Sequence, residues 1–92
     1  MRITYGPIEL AQTCSACPEQ YDVFLDKRLI GYLRLRHGHF TASYPDAKGA
    51  VVYEAETEGD GAFEDHERSF YLTEAVKSLF LKFFAETYKQ IT

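Results

Sequence analysis

The sequence predicts an α+β domain: an antiparallel β-meander of about four strands packed on one long C-terminal α-helix. Two patterns carry that reading. Apolar residues recur at helical spacing through the last third of the chain, and a period of two, broken by short turns, runs from Gln20 to Glu56. Ninety-two residues leave room for a single core, so helix and sheet must bury each other's apolar faces in one domain, 1–92.

The helix is expected over 65–91. Leu72, Ala75, Val76, Leu79 and Phe83 fall on one stripe at the i, i+3, i+4, i+7 spacing of a core-facing helix. Phe80 flanks that stripe, while Phe70, Leu81, Phe84 and Tyr88 continue around the far side. This apolar arc is wider than a helix covering one sheet needs. Asp65 suits the N-cap, with Glu67 in the first turn facing the positive end of the helix dipole. A competing start keeps Ser69 to Leu72 extended and caps at Thr73.

The strands are expected at Tyr21–Leu25, Leu29–Arg36, His39–Tyr44 and Ala50–Glu56, within a sheet segment 20–56. A two-residue turn at His37-Gly38 sets Leu35 against Phe40 and Leu33 against Ala42. A three-residue turn at Asp26-Lys27-Arg28 sets Leu25 against Leu29, Val23 against Gly31 and Tyr21 against Leu33. The face these registers share is apolar: Tyr21, Val23, Leu25, Leu29, Leu33, Leu35, Phe40, Ala42, Val51 and Tyr53. A slip of one residue would reverse it. The opposite face carries Asp22, Phe24, Ile30, Tyr32, Arg34, Arg36, Thr41, Ser43, Val52 and Glu54, and no second long helix exists to cover it.

Residues 1–19 read as an N-terminal arm lying against part of that outer face. Within it, Ile3-Thr4-Tyr5 can form an extra edge strand, limited by Pro7, and Ile8-Glu9-Leu10 a second extended piece. Thr13 to Pro18 reads as loop, since Pro18 biases Cys17 away from the helical region. Residues 57–64 form an acidic loop.

Hydrophobic residues make up 46% of the chain and aromatic ones 15%, which excludes a disordered protein. The net charge of −4 argues against a general nucleic-acid binder. No apolar run reaches the length of a membrane span and the first residues lack a signal peptide's hydrophobic region, so a cytoplasmic chain with no membrane association is expected. Two cysteines do not make a disulfide framework.

Two constellations have metal-ligand spacing. Cys14 and Cys17 are half of a zinc site, which His37 and His39, or His66, would have to complete; the plainer reading is a loop with two small side chains. The stretch Glu56 to Glu67 follows the calcium-loop pattern, with Glu56, Glu58 and Asp60 at the first, third and fifth places, Gly61 at the sixth, Glu64 at the ninth and Glu67 at the twelfth. It departs from that pattern in opening on Glu rather than Asp and in following a strand; the plainer reading is a solvated turn with glycine at positive φ. No nucleophile elbow, P-loop or dinucleotide fingerprint is present, and the sequence predicts a protein that is not an enzyme and takes no cofactor.

Surplus apolar surface instead predicts an interaction module, a homodimer or a partner of another protein. Its candidate surfaces are the sheet face around Phe24, Ile30, Tyr32, Arg34 and Arg36 and the helix face around Leu81, Phe84 and Tyr88. The aromatic and arginine mixture on the sheet also suits stacked single-stranded bases, although two arginines make a thin electrostatic footprint. The combination Gly31-Tyr32-Leu33-Arg34-Leu35-Arg36-His37-Gly38, Tyr44-Pro45-Asp46, Val52-Tyr53-Glu54, Gly59 to Asp65 and Glu67-Arg68 resembles small, uncharacterised proteins of bacteria and their prophages over roughly residues 20 to 75. That resemblance implies four strands and a helix and a phage origin, and it assigns no activity to any residue.

Overall fold

A computed structural model describes residues 2–16 and 18–91, with 90 and 91 described by backbone alone. Six strands, β1 (Arg2–Tyr5), β2 (Ile8–Ser15), β3 (Glu19–Leu25), β4 (Arg28–Arg36), β5 (His39–Tyr44) and β6 (Ala50–Glu56), precede one helix, α1 (Asp65–Ile91). The strands form one antiparallel sheet in sequence order, each paired with its neighbour in the chain. The α+β meander is therefore present, with six strands where about four were expected. The N-terminal segment lengthens the sheet at its β3 edge and does not lie across the outer face. Cys14 and Ser15, expected in a loop, belong to β2, which is irregular around Thr13 and resumes pairing through Cys14↔Gln20 and Ser15↔Glu19.

Register follows the turns. His37 and Gly38 both take positive φ, 53° and 72°, as the two-residue type I′ turn requires, and Leu35↔Phe40 and Leu33↔Ala42 pair as expected. Tyr21↔Leu33 and Val23↔Gly31 also pair as expected. The preceding turn, however, is Asp26-Lys27, again with both φ values positive, at 53° and 70°, so Arg28 joins the strand and faces Leu25. The surplus residue is absorbed as a bulge, with Val23 opposite Gly31, Phe24 opposite Leu29 and Ile30 unpaired between them. The bulge turns Ile30 into the core, where it is 1% exposed, and leaves Leu29 at 40%. A second irregularity between Ala42 and Ser43 does the same on β6: Val52 packs against the core and Val51 is exposed. Leu29 and Val51 thus leave the expected core face, and Ile30 and Val52 take their places.

The core lies between the sheet and the stripe Leu72, Ala75, Val76 and Leu79 of α1, with Phe83 packed at its margin. Fully buried leucines such as Leu33, Leu35 and Leu79 each contribute about 2 kcal/mol by leaving water. Gly31 lets the helix approach closely: a Cβ there would lie 2.6 Å from a methyl of Leu79. Phe63, from the acidic loop, completes the core, edge-on to Phe40 at 4.9 Å and stacked on Tyr71 at 5.9 Å.

Candidate interaction surfaces and the acidic loop

The acidic loop is anchored through its backbone, while the side chains of Glu58, Asp60 and Glu64 stay exposed. Gly38 N–H donates to the Asp60 carbonyl at 2.7 Å, Thr57 N–H to the Gly38 carbonyl at 2.8 Å, and Glu19 N–H to the Gly61 carbonyl at 2.8 Å. Glu67 organises it from within. Its carboxylate accepts from the backbone N–H groups of Glu58 at 2.9 Å, Gly59 at 2.8 Å and Glu64 at 2.9 Å. The Glu64 bond is one half of a capping box, and the bond from Glu67 N–H to the Glu64 carbonyl at 3.1 Å closes the same turn through the backbone. Burial pushes the Glu67 carboxyl up, but the three N–H donors outweigh it and hold it below the usual carboxylate range. Glycine is required at Gly59 by contact rather than by positive φ, because a Cβ there would lie 1.8 Å from the Ala62 carbonyl oxygen.

This arrangement replaces the calcium-loop expectation. Glu67 faces backbone donors, Glu58 pairs with His66 at 2.7 Å, and Glu56 pairs with His39 at 2.6 Å, so these carboxylates do not converge with Asp60 and Glu64. The hydrogen bond that His39 donates to Glu56 raises its pKa above the ordinary histidine range, and the one that His66 donates to Glu58 raises that of His66. Among the described residues no group of three or more His, Cys, Asp or Glu side chains is placed to hold a metal ion. Of the zinc expectation, Cys17 lies outside the described residues. Cys14 Sγ bonds the Ala16 carbonyl at 3.3 Å, and His37 and His39 sit at the β4–β5 turn.

One charged cluster had no signature in the sequence. Glu19 is buried, and its carboxylate takes the Tyr21 hydroxyl, the Phe63 N–H at 3.0 Å, and Arg68 through Nε at 2.9 Å and Nη2 at 3.2 Å. Burial and the Glu19 carboxylate push the Tyr21 phenol well above its ordinary range. A buried acid is legible only once its partner is known, and Arg68 is 49 positions away.

The expected interaction residues divide into three sets. Ile30 is in the core, for the reason given by the bulge. Phe24, Tyr32 and Arg34 are half-buried on the outer sheet face and Arg36 is exposed there; the Tyr32 hydroxyl donates to Gln20 Oε1. On α1, Phe70, Leu81, Phe84 and Tyr88 are 61%, 68%, 62% and 60% exposed. These four fall within about 60° of arc on the side opposite the core stripe, along roughly 27 Å of helix. Between them on the same stripe lie Glu74 and Lys77, paired with each other at 3.0 Å.

Among the described residues no helix is long and apolar enough to cross a membrane. No family model, curated protein or solved structure matches the chain.

Proposed function

We infer that the protein is a non-enzymatic interaction module that self-associates through the outer face of α1. The observation that supports this is the exposed stripe of Phe70, Leu81, Phe84 and Tyr88. Large side chains bury about 150–250 Å² each, so with three-fifths of each exposed the stripe offers on the order of 400 Å² or more, a size associated with partner sites.

The spacing favours a second copy as the occupant. Phe70, Glu74, Lys77, Leu81, Phe84 and Tyr88 alternate at four and three residues, the seam of a helix that pairs with another helix. Parallel pairing would set Glu74 against Glu74 and Lys77 against Lys77. Antiparallel pairing about a two-fold axis near Leu79 instead sets each Phe70 against the other copy's Tyr88, Glu74 against Phe84 and Lys77 against Leu81, an isologous match that seats all four apolar side chains and keeps like charges apart.

Sedimentation velocity over a concentration series tests the reading. The expected result is a monomer–dimer equilibrium that Leu81→Glu and Phe84→Glu each shift to monomer without loss of the folded circular-dichroism spectrum. A strict monomer at the highest attainable concentration, or a dimer indifferent to both substitutions, would end it.

A further inference from the structure

The outer face of the sheet holds an open hollow of about 410 Å³ lined by Arg34, Arg36, His37, His39 and Thr41. It is built from two alternate rungs of one ladder, Arg34↔Thr41 and Arg36↔His39, so the two guanidinium groups rise from the same strand, two residues apart, on one face. His37 closes the end at the β4–β5 turn.

The charge at this place is out of keeping with the chain. Acidic residues outnumber Lys and Arg by 14 to 10, and the ion pairs involve Arg2, Arg68, Lys77, Lys82 and Lys89. Among the described residues neither Arg34 nor Arg36 has a carboxylate within ion-pairing distance. Across β5, Glu54 and Glu56 are engaged by His39 at 3.4 Å and 2.6 Å, and on β3 Asp22 pairs with Tyr32, diagonal to Arg34; none of the three lines the hollow. The Nε–H of Arg34 is buried with no acceptor among the described residues. The buried Nε holds the Arg34 side chain against the sheet, leaving its terminal nitrogens as the donors that can serve the hollow.

We propose that this hollow binds the phosphate group of a small phosphorylated molecule, with Arg34 and Arg36 donating to its oxygens and the Thr41 hydroxyl completing the cradle. Guanidinium forks match phosphate oxygens in geometry as well as in charge, and the volume suits a small ligand. The site lies on the opposite layer from the outer face of α1, so it stands or falls independently of self-association.

Titration with inorganic phosphate and with pyrophosphate at constant ionic strength, followed by nitrogen–proton NMR of the arginine side chains, tests it. The Arg34 Nε–H resonance is expected to shift saturably with both anions and not with chloride. Arg36→Gln, a change at an exposed position, is expected to weaken pyrophosphate binding about tenfold while the backbone spectrum stays native. Equal responses to chloride and phosphate, or an unchanged affinity in Arg36→Gln, would overturn the proposal. Far tighter binding of a single-stranded oligonucleotide, falling steeply with salt, would overturn it in favour of a nucleic-acid surface.

Discussion

Glu19, the first residue of β3, grips Arg68, in the first turn of α1, through two guanidinium nitrogens at 2.9 Å and 3.2 Å. The same carboxylate takes Phe63 N–H and the Tyr21 hydroxyl, so sheet, loop and helix meet on one buried acid. Removing Arg68 strands that charge. Arg68→Met is expected to destabilise by about 3 kcal/mol, measured as the urea midpoint, and Glu19→Gln with Arg68→Met by less than the two single changes together.

Glu67 makes stability depend on acid. Its pKa in the folded protein lies below the ordinary 4.5, so its contribution is complete above that value and is lost as pH falls through the folded pKa. Glu67→Gln is expected to cost about 1–3 kcal/mol at neutral pH and progressively less as pH is lowered below 4.5, in urea unfolding over a pH series. His39 and His66 act with the opposite sign. Their raised values mean that what they contribute is present below the ordinary 6.5 and disappears as pH rises through the folded values; both are exposed, and the effect is small.

The contact between Gly31 and Leu79 is a lock between layers. Gly31→Ala is expected to cost about 1–3 kcal/mol by driving its methyl into Leu79. Leu79→Ala alone costs about 2–5 kcal/mol, and the double variant less than the sum, since the shortened side chain vacates the space the new methyl enters. A double-mutant cycle by thermal melting reads the difference.

The bulge in β4 gives a contrast between neighbours. Ile30→Ala is expected to lose about 2–5 kcal/mol, whereas Leu29→Ser stays within about 1 kcal/mol, as measured by chemical denaturation. A regular ladder, with Leu29 inside, predicts the reverse order.

What the sequence disclosed followed from periodicity. The stripe Leu72, Ala75, Val76 and Leu79 repeats over several turns, and the His37-Gly38 turn leaves one choice of partners for Leu33 and Leu35, so both were legible. The Ile30 and Val52 inversions were not, because a bulge adds one residue and period two carries no mark of where that happens. Glu67 was legible as an acid at a helix start but not as the centre of a backbone cradle, since the donors of Glu58 and Gly59 belong to chain folded back on it. Glu19 gave no signal at all. Of the candidate surfaces, the arc of Phe70, Leu81, Phe84 and Tyr88 was read directly from the wheel. The hollow around Arg34 and Arg36 needed the β4–β5 register to bring His39 and Thr41 alongside.

The strand order carries a consequence for synthesis of the chain. Because every strand pairs with its predecessor, the sheet can zip hairpin by hairpin as it emerges from the ribosome, with no long-range pairing to wait for. Its apolar face cannot be covered by α1 then, since those 27 residues follow the sheet in the chain. At roughly 5–20 residues per second the nascent sheet shows Tyr21, Leu33, Leu35 and Phe40 to solvent for seconds. Chaperone dependence during translation, rather than slow folding of the finished protein, is the vulnerability that a meander-then-helix order builds in.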